Sequence, residues 1–163
     1  MGYSGHKHQK GLKELTLVDN HGFVIAPLVV KSVNMHDNVL LPDSIDGLVD
    51  FASLISLDLT GSYFTLDSGF YSDYNHWLIR SHDMIPVIKP NRRGTKDEKK
   101  IDEMYDNFNE LVYKLRCAVE RTFAWQDVYR RVATCYDRLE STRLGFKNLA
   151  YSLINLRCFV CET

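Results

Sequence analysis

The apolar residues of this chain change period along its length, and that change limits the folds open to it. Short runs come first. Glu14-Leu-Thr-Leu-Val18 is followed by the turn cluster Asp19-Asn-His-Gly22 and then by the Val- and Ile-rich stretch from Phe23 to Val33. Two such runs around such a turn predict a β-hairpin. From Leu41-Pro-Asp43-Ser44 onward the spacing is helical, with Ile45, Leu48, Val49, Ala52 and Ile55 on one face. Tyr63 to Leu66 predicts a short buried strand that ends at Asp67. Ser72 or Asp73 then caps a helix whose apolar face carries Tyr74, Trp77 and Leu78. Met84 to Ile88 reads as another strand, and Pro86 inside it argues for an edge position.

The remainder is mostly helical. Residues 91–104 are charged and poor in apolar groups, which predicts a mobile connection. A long helix is expected from about Asp106 to Gln126, with Val112, Leu115, Val119 and Phe123 as its core stripe. After a break near Tyr129–Asp137, a last helix is expected over Leu139 to Phe159, burying Phe146, Leu149, Ala150, Leu153 and Leu156. The polar, Gly-rich residues 2–11 read as a loop. The order β-β, helix, β-helix-β, helix-helix predicts a single α/β domain over residues 1–163, with helices packed on a mixed sheet.

Composition narrows the class. The chain has 163 residues, 45% hydrophobic and 25% charged, enough for one globular core. It shows no membrane-length apolar run and no signal-peptide pattern, so a cytoplasmic protein with no membrane partner is expected. Cys117, Cys135, Cys158 and Cys161 do not read as a disulfide framework. The Cys158/Cys161 pair lacks a second pair at zinc spacing and reads as two thiols on a terminal helix. His6 and His8 flank Lys7 in the polar leader and read as solvated or phosphate-near. Net charge is −1, yet residues 1–88 carry a balance of −5 and residues 89–163 one of +4. The excess gathers at Lys89, Arg92 and Arg93, then at Arg116, Arg121, Arg130, Arg131, Arg138, Arg143 and Lys147. A phosphate-facing half is compatible with that asymmetry, as is a solvated helix surface.

One constellation carries chemistry. In Tyr113-Lys-Leu-Arg116-Cys-Ala-Val-Glu120, the offsets of 3 and 7 bring Tyr113, Arg116 and Glu120 together on one helical face. At about 100° per residue they fall within roughly 60° of one another. A carboxylate beside an arginine suits a metal ligand beside a phosphate-holding cation. Asp67, at a strand end and followed by Ser68-Gly69-Phe70, is a second oxygen ligand of the kind found in α/β crevices. Mg²⁺ or Mn²⁺ held by Asp67 and Glu120 could serve phosphodiester cleavage. The same residues allow a plainer account, in which Asp67 caps its own turn and Glu120 pairs with Arg116.

The spacing Tyr113-x-x-Arg116-x-x-x-Glu120, in the context Val119-Glu120-Arg121-Thr122-Phe123-Ala124-Trp125, resembles the C-terminal signature of bacterial insertion-sequence transposases of the DDE type. Leu66-Asp67-Ser-Gly69-Phe-Tyr71 resembles the second catalytic-aspartate motif of that family. Val33-Asn34-Met-His36-Asp37, Arg130-Arg131-Val-Ala-Thr-Cys-Tyr136-Asp137 and the closing Leu149-Ala-Tyr-Ser-Leu-Ile-Asn-Leu156 are similar to other parts of it, in the same order. The resemblance implies an RNase H-like fold, Asp67 and Glu120 as catalytic metal ligands, and Mg²⁺ or Mn²⁺ as cofactor. It implies double-stranded DNA at transposon ends as partner, in a bacterial cytoplasm. Tyr113, Arg116, Arg121, Arg130, Arg131, Lys89, Arg92 and Arg93 are the expected DNA-binding set.

Two departures from the family pattern stand out. The lysine usual seven residues after the glutamate is replaced by Asp127. Gly5-His6-Lys7-His8 resembles a loop that follows the family's first catalytic aspartate, so the chain is expected to lack that aspartate and the central strand bearing it. Each unmade buried backbone bond then costs about 1–3 kcal/mol. Asp19 is a weak substitute because it sits in the hairpin turn. The expectation is a downstream reading frame or a remnant, inactive without an upstream transposase fragment or self-association. The alternatives are a non-catalytic regulatory DNA-binding fragment and a metal-dependent nuclease of related fold.

Overall fold

The computed structural model describes residues 2–4, 9–92, 97–106, 108–134, 137 and 139–161. His6, His8, Arg93, Cys135 and Arg138 lie outside the described residues, as do the side chains of Cys158 and Cys161. The chain is mixed α/β, with two small sheets among the described residues, compatible with an RNase H-like fold. Its contacts divide it into two compact units, residues 1–34 with 117–163, and residues 35–116.

The first unit contains an antiparallel sheet of β1 (Gly2–Ser4), β2 (Gln9–Leu15) and β3 (Val29–Ser32), in that order. The expected hairpin is present, but its ladder is shifted toward the N-terminus. Leu12 faces Ser32 and Leu15 faces Val29, while Val18 and Val24 form one isolated bridge. Pro27 accounts for the gap, because it offers no N–H to a ladder. The leader expected as a loop is partly strand, with Gly2 opposite Gly11 and Ser4 opposite Gln9. Backbone pairing makes that edge without any apolar signal in the side chains. The hairpin end is closed by Asp19, whose Oδ1 accepts from His21 N at 2.9 Å and Phe23 N at 2.8 Å.

Helices α5 (Cys117–Asp127), α6 (Arg130–Ala133) and α7 (Glu140–Cys161) complete this unit. The expected stripe through Val119 and Phe123 is displaced by one position. Ala118, Thr122 and Gln126 are buried, and Phe123 is 41% exposed. The cause is a close approach of backbone. Thr122 Oγ1 donates to Gly22 O at 2.7 Å, and Gly22 has φ +92°. A Cβ on Gly22 would stand 2.9 Å from Thr122 Oγ1 and 3.2 Å from Trp125 Cζ3. On α7 the same correction applies. Lys147, Ala150, Tyr151 and Ile154 are buried, whereas Leu149, Leu153 and Leu156 are exposed. Polar bonds select that face: Lys147 pairs with Glu14, and Tyr151 donates to Gln126. Asn155 donates to Val24 O at 3.0 Å and accepts from Val24 N at 3.1 Å, so its amide acts as a local strand partner.

The second unit follows its apolar pattern more closely. Helix α1 (Leu41–Leu54) begins with Pro42 in its first turn and buries Leu41, Ile45, Leu48 and Ala52. Strands β4 (Tyr63–Leu66) and β5 (Ile85–Ile88) pair in parallel, Tyr63 with Ile85 and Leu66 with Ile88. Between them runs α2 (Asp73–Arg80), capped by Ser72. Leu78 and Ile79 face the core, but Trp77 and Tyr74 are 61% and 55% exposed, against expectation. The single helix expected over 106–126 is instead α3 (Glu98–Asp106), α4 (Glu110–Lys114) and α5. Helix α3 thus occupies much of the segment expected to be a mobile connection. Asn109 starts α4 as its cap, accepting from Val112 N at 3.1 Å. At Leu115 and Arg116 the bonding tightens to i−3, 3.0 and 3.1 Å, and nothing in the residue types there demands the break.

Two outcomes follow for the first unit. Gly22→Ala forces a side chain onto a positive-φ backbone against Thr122, and a loss of roughly 1–3 kcal/mol is expected in urea unfolding. Burial pushes the Tyr151 hydroxyl from 10.0 up to about 12, with Glu14 and Asp127 adding to the rise. A raised folded value means stability that is full below the unfolded value and lost as pH climbs toward the folded one. Stability should therefore fall between pH 10 and about 12, and Tyr151→Phe should remove that slope.

Candidate functional site

Asp67 stands where β4 ends and a 3₁₀ turn, Ser68–Phe70, begins. Its backbone is extended, φ −75° and ψ 172°, so it is the cap of that turn. One carboxylate oxygen, Oδ1, accepts from Gly69 N at 2.7 Å, and the residue is exposed. The capping role weighed from sequence is therefore present, and the other oxygen has no protein partner among the described residues. Gly69 permits the bond, since a Cβ there would lie 3.0 Å from Oδ1.

The parallel partner strand brings cations to the same end of the sheet. Lys89 follows β5 directly, its N reaching Leu66 O at 3.5 Å. Ser68, Lys89, Pro90, Asn91, Arg92 and Tyr105 line a cleft of about 620 Å³ beside Asp67. The Arg92 guanidinium lies 5.0 Å from the centre of the Tyr105 ring. That stacking leaves the guanidinium edge able to meet an anion. Ser68 and Tyr105 were not read from sequence as site residues. The available signal was one aromatic ring closing the charged run that contains Arg92.

From Tyr105 the contacts continue through rings. Phe108 is 5.8 Å from Tyr105 and 5.1 Å from Tyr113, and Arg116 lies 5.7 Å from the Tyr113 ring. Tyr113 and Arg116 thus join the same unit as Asp67, Lys89 and Arg92, with α4 packed on β4 and β5. Glu120 belongs to the other unit and is exposed in the first turn of α5. The uninterrupted helical face expected for Tyr113, Arg116 and Glu120 is not formed, because the helix breaks at Leu115 and Arg116.

Of the expected set, Arg121, Arg130 and Arg131 lie with Glu120 in the first unit, and Arg93 is outside the described residues. Arg121 donates to Asn20 O at 3.2 Å and stacks 5.5 Å from Trp125. Arg131 pairs with Asp137 at 2.9 Å and lies 3.8 Å from the Phe146 ring. Both hold local structure. Arg130 is exposed on α6.

A second cavity, about 570 Å³, lies in the unit of Asp67 and is lined in part by His76, Trp77, Arg80, Val87, Met104 and Phe108. Burial holds His76 below its ordinary 6.5, with the Arg80 charge adding to the effect and Asp73 opposing it.

Asp67 and Glu120 each expose a carboxylate of the kind a hard divalent ion accepts, one in each unit. Among the described residues no group of three His, Cys, Asp or Glu side chains converges as a metal site. No helix among those residues is long and apolar enough to cross a membrane.

Compared with known proteins, residues 1–153 match the family described as Transposase DDE domain, and the chain belongs to that family. No curated protein and no solved structure matches it.

The Asp67 turn can be tested directly. Gly69→Ala should displace Oδ1, cost about 0.5–1.5 kcal/mol in line with a lost cap, and speed hydrogen exchange at amide 69. Unchanged exchange would show that the carboxylate does not hold the turn.

Proposed function

We propose that this member of the transposase DDE family takes part in metal-dependent cutting and joining of transposon-end DNA. The observation that carries the reading is the exposed Asp67 at a strand end beside the cleft of Ser68, Lys89, Arg92 and Tyr105. In such a cleft Lys89 and Arg92 hold a backbone phosphate, and Ser68 offers a hydroxyl to it. The phosphate is thereby kept next to the Asp67 carboxylate. Tyr113 and Arg116 extend the contact along the ring series, and Arg121 and Arg130 supply further positive charge to the duplex, as Arg131 does once it exchanges Asp137 for a phosphate.

Asp67 and Glu120 are the proposed ligands of Mg²⁺ or Mn²⁺. The ion, when bound, relieves charge at the leaving oxygen and favours ionisation of the attacking hydroxyl. The reading calls on a further carboxylate, because the described residues hold no three-ligand cluster. We place it on an upstream transposase fragment or a second copy of the chain. A second reading is a regulatory fragment that binds transposon ends without cutting them.

A nicking assay on end-sequence duplex, with Mg²⁺ or Mn²⁺ and with or without the upstream fragment, separates the two. Asp67→Asn and Glu120→Gln should reduce nicking to background while duplex binding persists. Binding without nicking under every condition selects the regulator, and nicking without end preference selects a general nuclease. Lys89→Ala with Arg92→Ala should lower duplex affinity and flatten the slope of log K against log salt by about 0.9 per lost phosphate contact. An unchanged slope removes both from the phosphate-binding set, and Arg116→Ala is judged by the same measure.

A further inference from the structure

Asn75 is a polar side chain at 1% exposure that none of the chemistry above uses. It sits at the third position of α2, where its N–H donates to the capping Ser72 Oγ at 3.2 Å. A residue there often reaches back to the cap itself. Asn75 reaches further. Its Nδ2 donates to Phe70 O at 2.6 Å and to Asn38 Oδ1 at 3.3 Å. An amide nitrogen carries two hydrogens, so both bonds form together.

The two acceptors belong to two different turns. Phe70 is the last residue of the turn that Asp67 caps. Asn38 lies in an earlier 3₁₀ turn, Asp37–Val39, whose cap is His36. His36 Nδ1 accepts from Asn38 N at 3.3 Å, which holds Asn38 in place to meet Asn75. The motif Asn34-Met-His36-Asp37, singled out in the sequence, leads into this turn.

We propose that Asn75 is the positioning residue for the Asp67 carboxylate, acting through the Phe70 carbonyl and fastened by Asn38. Asp67 is exposed, and the bond from Gly69 N fixes its carboxylate only relative to its own turn. The β4 end of that turn is held by the ladder with β5, Leu66 opposite Ile88, which closes on a long bond from Lys89 N to Leu66 O at 3.5 Å. The other end is held at Phe70 by Asn75. Removing the Asn75 amide leaves a buried carbonyl without its donor and frees the turn to shift, carrying the carboxylate with it.

The inference rests on the reading of Asp67 as a metal ligand, and its test keeps the two apart. The full chain is compared with Asn75→Ala and Asn38→Ala by hydrogen exchange at the Gly69 amide, by Mn²⁺ titration followed through the resonance of free Mn²⁺, and by duplex DNA affinity. Asn75→Ala should speed Gly69 exchange about tenfold, the equivalent of one buried hydrogen bond, while the Val87 amide is unchanged. Mn²⁺ affinity should fall by a larger factor than duplex affinity, to which Ser68 of the turn adds one contact beside Lys89 and Arg92, a split that general loss of structure would not produce. If Asn75→Ala fails to fold, Asn38→Ala, at a half-buried site, should show a smaller acceleration in the same direction. Unchanged Gly69 exchange in the folded variant overturns the proposal. If Asp67→Asn leaves Mn²⁺ binding intact, the ligand reading falls, and the exchange result still decides the Asn75 link.

Discussion

The approach of Thr122 to the Gly22 carbonyl fixes the rotation of α5, and much of the first unit follows from it. A hydroxyl can reach a hairpin carbonyl at 2.7 Å only where the facing residue has no side chain. With Ala118, Thr122 and Gln126 turned inward, Glu120 is two residues from each of the first two. Two residues are about 200° of helix, so Glu120 must point outward. The buried threonine therefore decides the exposure of the candidate ligand. The polar bonds of Asn155 and Tyr151 do for α7 what Thr122 does for α5.

That reliance on polar docking also explains which parts were legible in the sequence. Helix α1 and strands β4 and β5 are packed through Leu, Ile and Val, so apolar spacing located them. Helices α5 and α7 turn Thr122, Gln126, Lys147 and Tyr151 inward, and a search for apolar stripes selects the neighbouring face. The strand pairing of the leader, Gly2 to Ser4 against Gln9 to Gly11, follows no apolar alternation in the sequence. The break at Leu115 and Arg116 has no residue-type signature, so an unbroken helical pattern overran it.

The candidate site shows the same division. Asp67 was legible because an apolar run stops at it and turn formers follow. Lys89 and Arg92 stood out as charge, but their shared cleft with Ser68 depends on β4 and β5 ending side by side. Tyr105 was hidden in a charged stretch, and its use as a rest for Arg92 is a tertiary fact. Tyr113, Arg116 and Glu120 were read as one helical face, whereas the first two join a ring series and Glu120 lies in the first turn of a new helix.

The proline in β5 has a consequence for handling the protein. Ile85 and Lys89 aim their N–H groups at the β4 side, at Ser62 and Leu66. By the alternation of a strand, position 86 faces the other way. Pro86 therefore costs the pairing with β4 nothing and withholds a donor from any chain that approaches the outer edge. A two-stranded parallel sheet is an obvious template for self-templated growth during expression or refolding. One imino acid at the midpoint of a four-residue strand acts as a gatekeeper against that aggregation.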